Sequence, residues 1–268
     1  MLQPDADELA AILRFYSEAG VTDALTDEPV NRFLAQAAKP AARPAPHKPA
    51  ASPLPQALVS ASVPEQAQAA RAAGLAAAAA DLAALRASLE VFDGCNLKFT
   101  AKQLVFGEGD PAARLMLVGE APGADEDREG RPFVGRSGQL LDKILAAIGI
   151  ERQAAFIANS VYWRPPGNRT PTPMETEICR PFLERQIALI KPDVLVALGA
   201  PAARALTGSS EGILRLRGTW STFKSADGRD IAVMPTLHPA YLLRNPAHKK
   251  LAWRDFLDVK MRLAQSRN

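Results

Sequence analysis

The chain has 268 residues, and 47% of them are hydrophobic and 23% charged, which allows one or two globular domains. No apolar run approaches the ~20 residues of a membrane span, and Met1–Leu9 is acidic and unlike a signal peptide. The two cysteines provide no disulfide framework, so we expect a cytoplasmic protein.

Charge is distributed unevenly along the chain. Residues 1–90 carry 7 Lys/Arg and 10 Asp/Glu, whereas residues 91–268 carry 25 Lys/Arg and 19 Asp/Glu. The basic second part permits a polyanionic partner without requiring one.

The first 90 residues divide into three segments by composition. Residues 1–36 contain a short amphipathic pattern, which predicts a small helical element that either docks on a partner or is an inert extension. Residues 37–65 hold seven prolines among alanines and predict an extended, flexible linker. Residues 66–90 are alanine-rich with leucines at helical spacing, and they predict a helix leading into the domain at 91–268.

From residue 91 onward, short apolar runs alternate with helical patterns. Thr172 and Glu175 form a capping-box pair around Pro173, which marks a helix start. The predicted strands are 115–118, 155–161, 194–198 and 231–234, and the predicted helices are 138–148, 173–190, 201–206 and 249–263. Repeated βα units predict a three-layer α/β/α fold around a mostly parallel, four-stranded central sheet.

Three polar loops follow predicted strands, and we expect them to meet at the carboxyl edge of the parallel sheet. They span residues 119–137, 159–172 and 236–246. Phe133 in the first loop and Asn159 in the second describe a pocket for a flat heterocycle, because a ring can stack on it while an amide matches an acceptor beside a donor. His238 in the third loop follows a buried strand. Alternatively, Asn159 is a turn former, Phe133 belongs to the core and His238 is structural.

Three segments of these loops resemble a known family. They read GEAPGADEDREGRPFVGRSGQLLDKIL at Gly119–Leu145, NSVYWRPPGNRTP at Asn159–Pro171, and HPAYLLRNP at His238–Pro246. In this order and spacing they resemble the family 4 uracil-DNA glycosylases, from about Val91 to the C-terminus. The resemblance implies a monofunctional hydrolase that flips deoxyuridine out of DNA and cleaves its N-glycosidic bond, which initiates base excision repair. Separately, we expect the protein to be a monomer. The predicted helix at residues 1–36, tethered by the linker, suggests a repair or replication protein as its partner, with an inert extension as an equal alternative.

The resemblance also implies roles for individual residues in the pocket. Phe133 would stack on uracil, and Asn159 would read its hydrogen-bonding edge. His238 would donate to uracil O2, where negative charge grows as the bond breaks. The substrate-binding loop would be contributed by Gly119, Glu120, Ala121 and Gly123.

The groups that handle water and DNA follow less directly from the resemblance. Ala121 stands where the related family 1 enzymes carry a water-positioning Asp, which leaves Glu126 and Asp127 as the candidate catalytic carboxylates. Leu242 would enter the duplex where the base leaves, and Arg244 would contact a phosphate.

This sequence departs from the family at the cysteines that hold a cofactor. The resemblance implies a [4Fe–4S] cluster held by four cysteines, but only Cys95 and Cys179 match, and Phe92 and Trp163 occupy the other two positions. Such a cluster needs four thiolates. We therefore expect no cluster and no metal, with Phe92 and Trp163 filling the volume as a small hydrophobic core.

Two other functions compete with uracil excision. The changed cysteine positions keep open a non-catalytic or altered-specificity DNA-binding member of the same superfamily. A nucleotide-handling α/β enzyme is disfavoured, because neither G-x-x-x-x-G-K-[ST] nor G-x-G-x-x-G occurs in the chain.

Overall fold

The structure, a computed structural model, describes residues 65–265. The predicted N-terminal element and nearly all of the predicted linker lie outside the described residues. The helices are α1 Glu65–Ala78, α2 Leu82–Val91, α3 Ala124–Glu129, α4 Arg136–Ala147, α5 Pro173–Ile190, α6 Ala200–Thr207, α7 Ile213–Leu216, α8 Pro239–Arg244 and α9 Lys249–Gln265. The strands are β1 Glu108–Gly109, β2 Leu115–Gly119, β3 Phe156–Asn159, β4 Val194–Leu198, β5 Ser221–Lys224 and β6 Asp230–Thr236.

The strands form one mixed sheet in the order β1-β3-β2-β4-β6-β5. Its four central strands are parallel, which confirms the α/β fold and the four strands predicted from the apolar runs. The antiparallel edge strands β1 and β5 were not predicted. β1 has two half-buried residues, and β5 buries only Phe223, so neither carries a recognisable apolar pattern.

Both faces of the sheet are covered, because successive residues of a strand point to opposite sides. Met116 and Val118 of β2 pack in one apolar cluster with residues of α5 and α6. Leu115 and Leu117 pack in another cluster with residues of α4 and α9. Three layers result, and the polar loops are left at the carboxyl edge of the strands.

The segment predicted as a single lead-in helix forms two, α1 and α2. Asp81 begins α2 by accepting a hydrogen bond from the Ala84 N–H at 2.8 Å, a typical N-cap. Arg185 of α5 donates to the Ala79 carbonyl just beyond α1, at 2.6 and 3.0 Å. Both helices contribute to an apolar cluster that they share with α5. Among residues 65–265, no helix combines the length and apolar character needed to cross a bilayer.

Candidate active site

A cavity of about 470 Å³ opens at the carboxyl edge of the parallel strands. Phe133, Asn159 and His238, one from each of the three predicted loops, all line it. The register of the sheet accounts for this arrangement, because Gly119 at the end of β2 pairs with Asn159 at the end of β3. The cavity is also lined by Glu120, Ala121, Gly123, Glu126, Tyr241 and Arg244.

Phe133 is held in the cavity wall by its backbone. Its φ of 52° lies in the left-handed region, which is unfavourable for a bulky residue. Arg152 supports this conformation by donating to the Pro132 carbonyl at 2.6 Å and to the Phe133 carbonyl at 3.2 Å. Gly138 permits it, because a Cβ there would collide with the Phe133 carbonyl. The ring is 5% exposed, and its centroid is 5.6 Å from that of His238.

Asn159 presents a buried amide to the same space. It is 2% exposed and lines the cavity. Gly119 provides the room, since a Cβ there would collide with Asn159 Oδ1 and lie 2.7 Å from Phe133 Cζ. An amide beside an aromatic ring is suited to a flat polar ligand.

His238 is fixed as a neutral hydrogen-bond donor. It is the N-cap of α8, and its Nδ1 accepts a hydrogen bond from the Ala240 N–H at 3.1 Å. An accepting Nδ1 leaves the hydrogen of the neutral ring on Nε2. Burial, and to a smaller extent the charge of Arg244, lower the pKa of His238 from 6.5 to about 4, while Glu126 opposes the shift.

Glu126 braces the first loop. Its Oε2 accepts from the Gly123 N–H at 3.1 Å, and its Oε1 accepts from the N–H groups of Val134 and Gly135 at 3.0 and 3.1 Å. These bonds tie the start of α3 to the segment that carries Phe133. The carboxylate also sits in the first turn of α3, where negative charge is favourable.

The comparisons with known proteins agree with this geometry. The family model described as "Uracil DNA glycosylase superfamily" matches residues 106–257. The chain belongs to the uracil DNA glycosylase superfamily. The match contains the whole of the cavity described above. It therefore confirms that the three motifs were correctly assigned to this superfamily.

Within the superfamily, the chain is similar to individual type-4 and type-5 uracil-DNA glycosylases. A type-4 uracil-DNA glycosylase of Thermotoga maritima is 45% identical over 159 residues, which are 58% of this chain and 79% of the relative. A type-4 uracil-DNA glycosylase of Pyrobaculum aerophilum is 42% identical over 171 residues, 62% and 87% of the two chains. A type-5 uracil-DNA glycosylase of Thermus thermophilus is 36% identical over 115 residues, 37% and 52%. The resemblance to family 4 is confirmed.

The structure places two predicted site residues outside the cavity wall, and the first is Asp127. This residue is 2% exposed, and its Oδ1 accepts from the backbone N–H groups of Lys102 and Gln103 at 2.7 and 3.3 Å. It is not part of the cavity wall. Its carboxylate anchors the segment before β1 and is not placed to handle water.

The second predicted site residue outside the cavity wall is Leu242. Residues 239–244 form a helix where a loop was expected, and this turns Leu242 toward the interior. Its side chain is 1% exposed and packs with Leu237 and Ala252. Arg244 is exposed at the cavity rim, as a phosphate contact would require.

The residues at the family's cluster positions lie together in the interior. Phe92, Cys95, Trp163 and Cys179 belong to one apolar cluster, the hydrophobic core predicted for this region. A hydrogen bond from Cys179 lowers the pKa of Cys95, so the two thiols are direct neighbours. Within residues 65–265 no group of three or more His, Cys, Asp or Glu is arranged to hold a metal ion. Two thiols and two aromatic rings do not fit a [4Fe–4S] cluster.

Two cavity residues were overlooked as functional groups. Glu120 was assigned only to the binding loop, but burial raises the pKa of its carboxyl, opposed by a hydrogen bond with Thr170. Tyr241 was given no role, although it lines the cavity. Its position three residues after His238 would have identified it if the helix starting at Pro239 had been recognised, because residues three apart share a helix face.

Proposed function

We propose that this protein is a DNA repair glycosylase that flips deoxyuridine out of DNA and hydrolyses its N-glycosidic bond. The convergence of Phe133, Asn159 and His238 on one cavity carries this proposal. The matched type-4 and type-5 relatives are named uracil-DNA glycosylases, which supports it. In the reaction, water adds to the deoxyribose C1′, the C1′–N1 bond breaks, and uracil leaves with the bonding electron pair.

Uracil is read by an amide and a ring. Asn159 Nδ2 donates to uracil O4 while its Oδ1 accepts from N3–H. Phe133 stacks on the base from the cavity wall. Thymine offers the same O4 and N3–H groups to Asn159 and differs from uracil only by its 5-methyl group. Discrimination against thymine must therefore come from the shape of the cavity around C5.

The leaving group is stabilised by His238. As the bond breaks, negative charge accumulates on uracil N1 and O2, and the Nε2–H donates to O2. A preorganised donor of this kind typically contributes about 3–4 kcal/mol to the rate in a buried site. The neutral ring needs no proton transfer to perform this role.

Glu120 is the group that we assign to the attacking water. Ala121 offers no polar group, and the oxygens of Glu126 are engaged by backbone donors. Glu120 lines the cavity, and its raised pKa makes it a better proton acceptor than an ordinary carboxylate near neutral pH. Glu126 is then a positioning residue, which holds the loop that carries Phe133.

Release of uracil from a labelled single-stranded oligonucleotide containing one deoxyuridine tests the proposal. Free uracil and an alkali-labile abasic site are expected from the deoxyuridine strand and not from the matched thymidine strand. Tight binding to both strands without release of any base would instead support the non-catalytic DNA-binding alternative.

Replacing Gly119 with alanine is expected to reduce uracil release strongly. The added methyl group collides with Asn159 Oδ1 and the Phe133 ring, so both must move away from the base. We expect a loss of about 10²-fold in kcat/KM, since small displacements in a reacting site have effects of this size. Gly74→Ala is the matched control, because nothing lies within 4 Å of its Cβ position. Equal activity of both variants would contradict the assigned geometry.

We further propose that the protein holds no [4Fe–4S] cluster. Protein purified without oxygen is then expected to contain no stoichiometric iron or acid-labile sulfide and to show no broad absorbance near ~400 nm. A Phe92→Cys/Trp163→Cys double variant provides the comparison, since it restores four cysteines at these positions. About four irons per chain in the unaltered protein would contradict the proposal.

The proposal extends to a monomeric enzyme of the cytoplasm. Residues 1–36 contact a repair or replication protein, or they form an inert extension. Deletion of residues 1–36 separates these two possibilities when association with repair proteins is measured alongside uracil release.

A further inference from the structure

One face of α8 is directed at the cavity. His238, Tyr241 and Arg244 are spaced three residues apart and all line it, as expected for neighbours on one side of a helix. His238 lies beside Phe133 at the inner end, and Arg244 is exposed at the rim. Tyr241 lies between them along the helix and is half-buried. Nothing in the uracil chemistry above uses its side chain.

A second residue holds the Tyr241 ring in place. The Tyr241 hydroxyl is 2.7 Å from His248 Nδ1, and the two rings stack with centroids 5.6 Å apart and planes inclined by 29°. The Asn245 N–H donates to the Tyr241 carbonyl at 2.8 Å, and the His248 N–H donates to the Asn245 carbonyl at 3.1 Å. The chain after α8 therefore folds back onto Tyr241, and two side-chain contacts fix both the position and the tilt of the phenol.

We propose that Tyr241 packs against the deoxyribose of the flipped nucleotide, and that His248 is a positioning residue that holds the phenol ring for this contact. The inference rests on the proposed function. In a nucleotide the sugar lies between the base and the phosphate. If the base is at Phe133 and His238 and the phosphate at Arg244, the middle position on the same helix face is at the level of the sugar.

A prearranged ring makes this contact at low cost. A tyrosine offers a large, rigid surface with only two rotatable bonds, and here those rotations are already restricted by His248. The sugar contact forms when the nucleotide enters the cavity and persists while the bond breaks. Tyr241 therefore contributes equally to the bound substrate and to the transition state, and its loss raises KM and leaves kcat nearly unchanged.

Steady-state uracil release from the deoxyuridine oligonucleotide separates these effects. Tyr241→Ala is expected to raise KM about tenfold, the loss of one well-placed aromatic contact. Tyr241→Phe breaks the hydroxyl–imidazole bond and is expected to raise KM about threefold. His248→Ala removes this bond and the stacked imidazole ring, so its effect is expected to be at least as large. The Tyr241→Phe/His248→Ala double variant is expected to match His248→Ala, because that single variant already removes the bond. His248→Gln is expected to recover the part of the KM change that the bond contributes, since its amide can bond the hydroxyl.

Equilibrium binding keeps this test separate from that of the proposed function. The probe is the same oligonucleotide with 2′-fluoro-deoxyuridine, whose fluorine destabilises positive charge at C1′ and so slows hydrolysis. Tyr241→Ala is expected to bind this probe about tenfold more weakly, with a much smaller change for the thymidine strand. This comparison stands even if the unaltered protein releases no uracil, which would defeat the proposed function alone.

Two outcomes would overturn the inference. Folded Tyr241→Ala protein with unchanged KM and probe affinity would remove Tyr241 from the sugar contact, and Tyr241→Leu replaces it if the alanine variant unfolds. Additive KM effects in the double variant, or no recovery in His248→Gln, would remove His248 as the positioning residue.

Discussion

Replacing His238 with alanine is expected to slow uracil release by about 10²- to 10³-fold while the affinity for deoxyuridine-containing DNA changes little. The Nε2–H meets charge that exists on uracil O2 only as the glycosidic bond breaks, so its loss raises the barrier more than it weakens binding. Single-turnover release at saturating enzyme measures the chemical step, and anisotropy with the 2′-fluoro probe measures binding. Arg244→Ala is the control, because it is expected to weaken DNA binding and leave the single-turnover rate nearly unchanged. Loss of a phosphate contact should also make binding less dependent on salt.

The pH dependence of the same rate tests the state of the imidazole. The pKa of His238 is lowered to about 4, so the ring remains neutral from about pH 5 upward and acid protonates it only below that range. No inflection near 6.5 is therefore expected from His238. A decline on the acid side is expected from Glu120, whose pKa is raised by burial, and Glu120→Gln should remove it. An inflection near 6.5 that disappears in His238→Ala would show that the charged ring is the active form.

Replacing Asn159 with aspartate is expected to lower kcat/KM for uracil release by at least about 10²-fold. The shape is kept, but a carboxylate oxygen replaces the amide donor and faces the uracil O4 acceptor, so an attraction becomes a repulsion. Asn159→Ala should cost a similar factor by leaving both uracil groups unpaired. The measurement is uracil release across a range of oligonucleotide concentrations.

Asn168→Gly is the matched control for the Asn159 variants. Asn168 is also an amide of the cavity wall, but it is exposed and bonded to Arg164, and its φ of 56° suits glycine. Its loss is expected to change kcat/KM by less than about threefold. Equal effects at residues 159 and 168 would show that the cavity wall as a whole, and not one amide, selects the base.

The central fold was predictable because its signals are local. The apolar runs of β2 and β4 are buried at every position, and such runs bounded by polar residues indicate parallel strands. The capping box at the start of α5 forms as predicted, with the Thr172 N–H donating to Glu175 at 2.7 Å and the Glu175 N–H donating to Thr172 at 3.2 Å. The edge strands β1 and β5 depend on pairing with β3 and β6, which no local pattern reveals.

The three residues that meet in the cavity were predictable from the sequence, whereas the orientation of two neighbouring side chains was not. Phe133, Asn159 and His238 follow from the rule that loops after parallel strands share one edge. Leu242 and Asp127 lie outside the cavity wall because tertiary contacts decide which way a side chain points. Leu242 points to the interior because residues 239–244 form a helix. The Asp127 carboxylate accepts hydrogen bonds from the backbone N–H groups of residues 102 and 103.

A crystal structure of the protein with the 2′-fluoro-deoxyuridine oligonucleotide tests most directly whether one cavity holds the extruded base. The expected result is uracil stacked on Phe133, with the Asn159 amide against O4 and N3 and the His238 Nε2 about 3 Å from O2. A base bound outside this cavity, or turned so that His238 faces O4, would contradict the account.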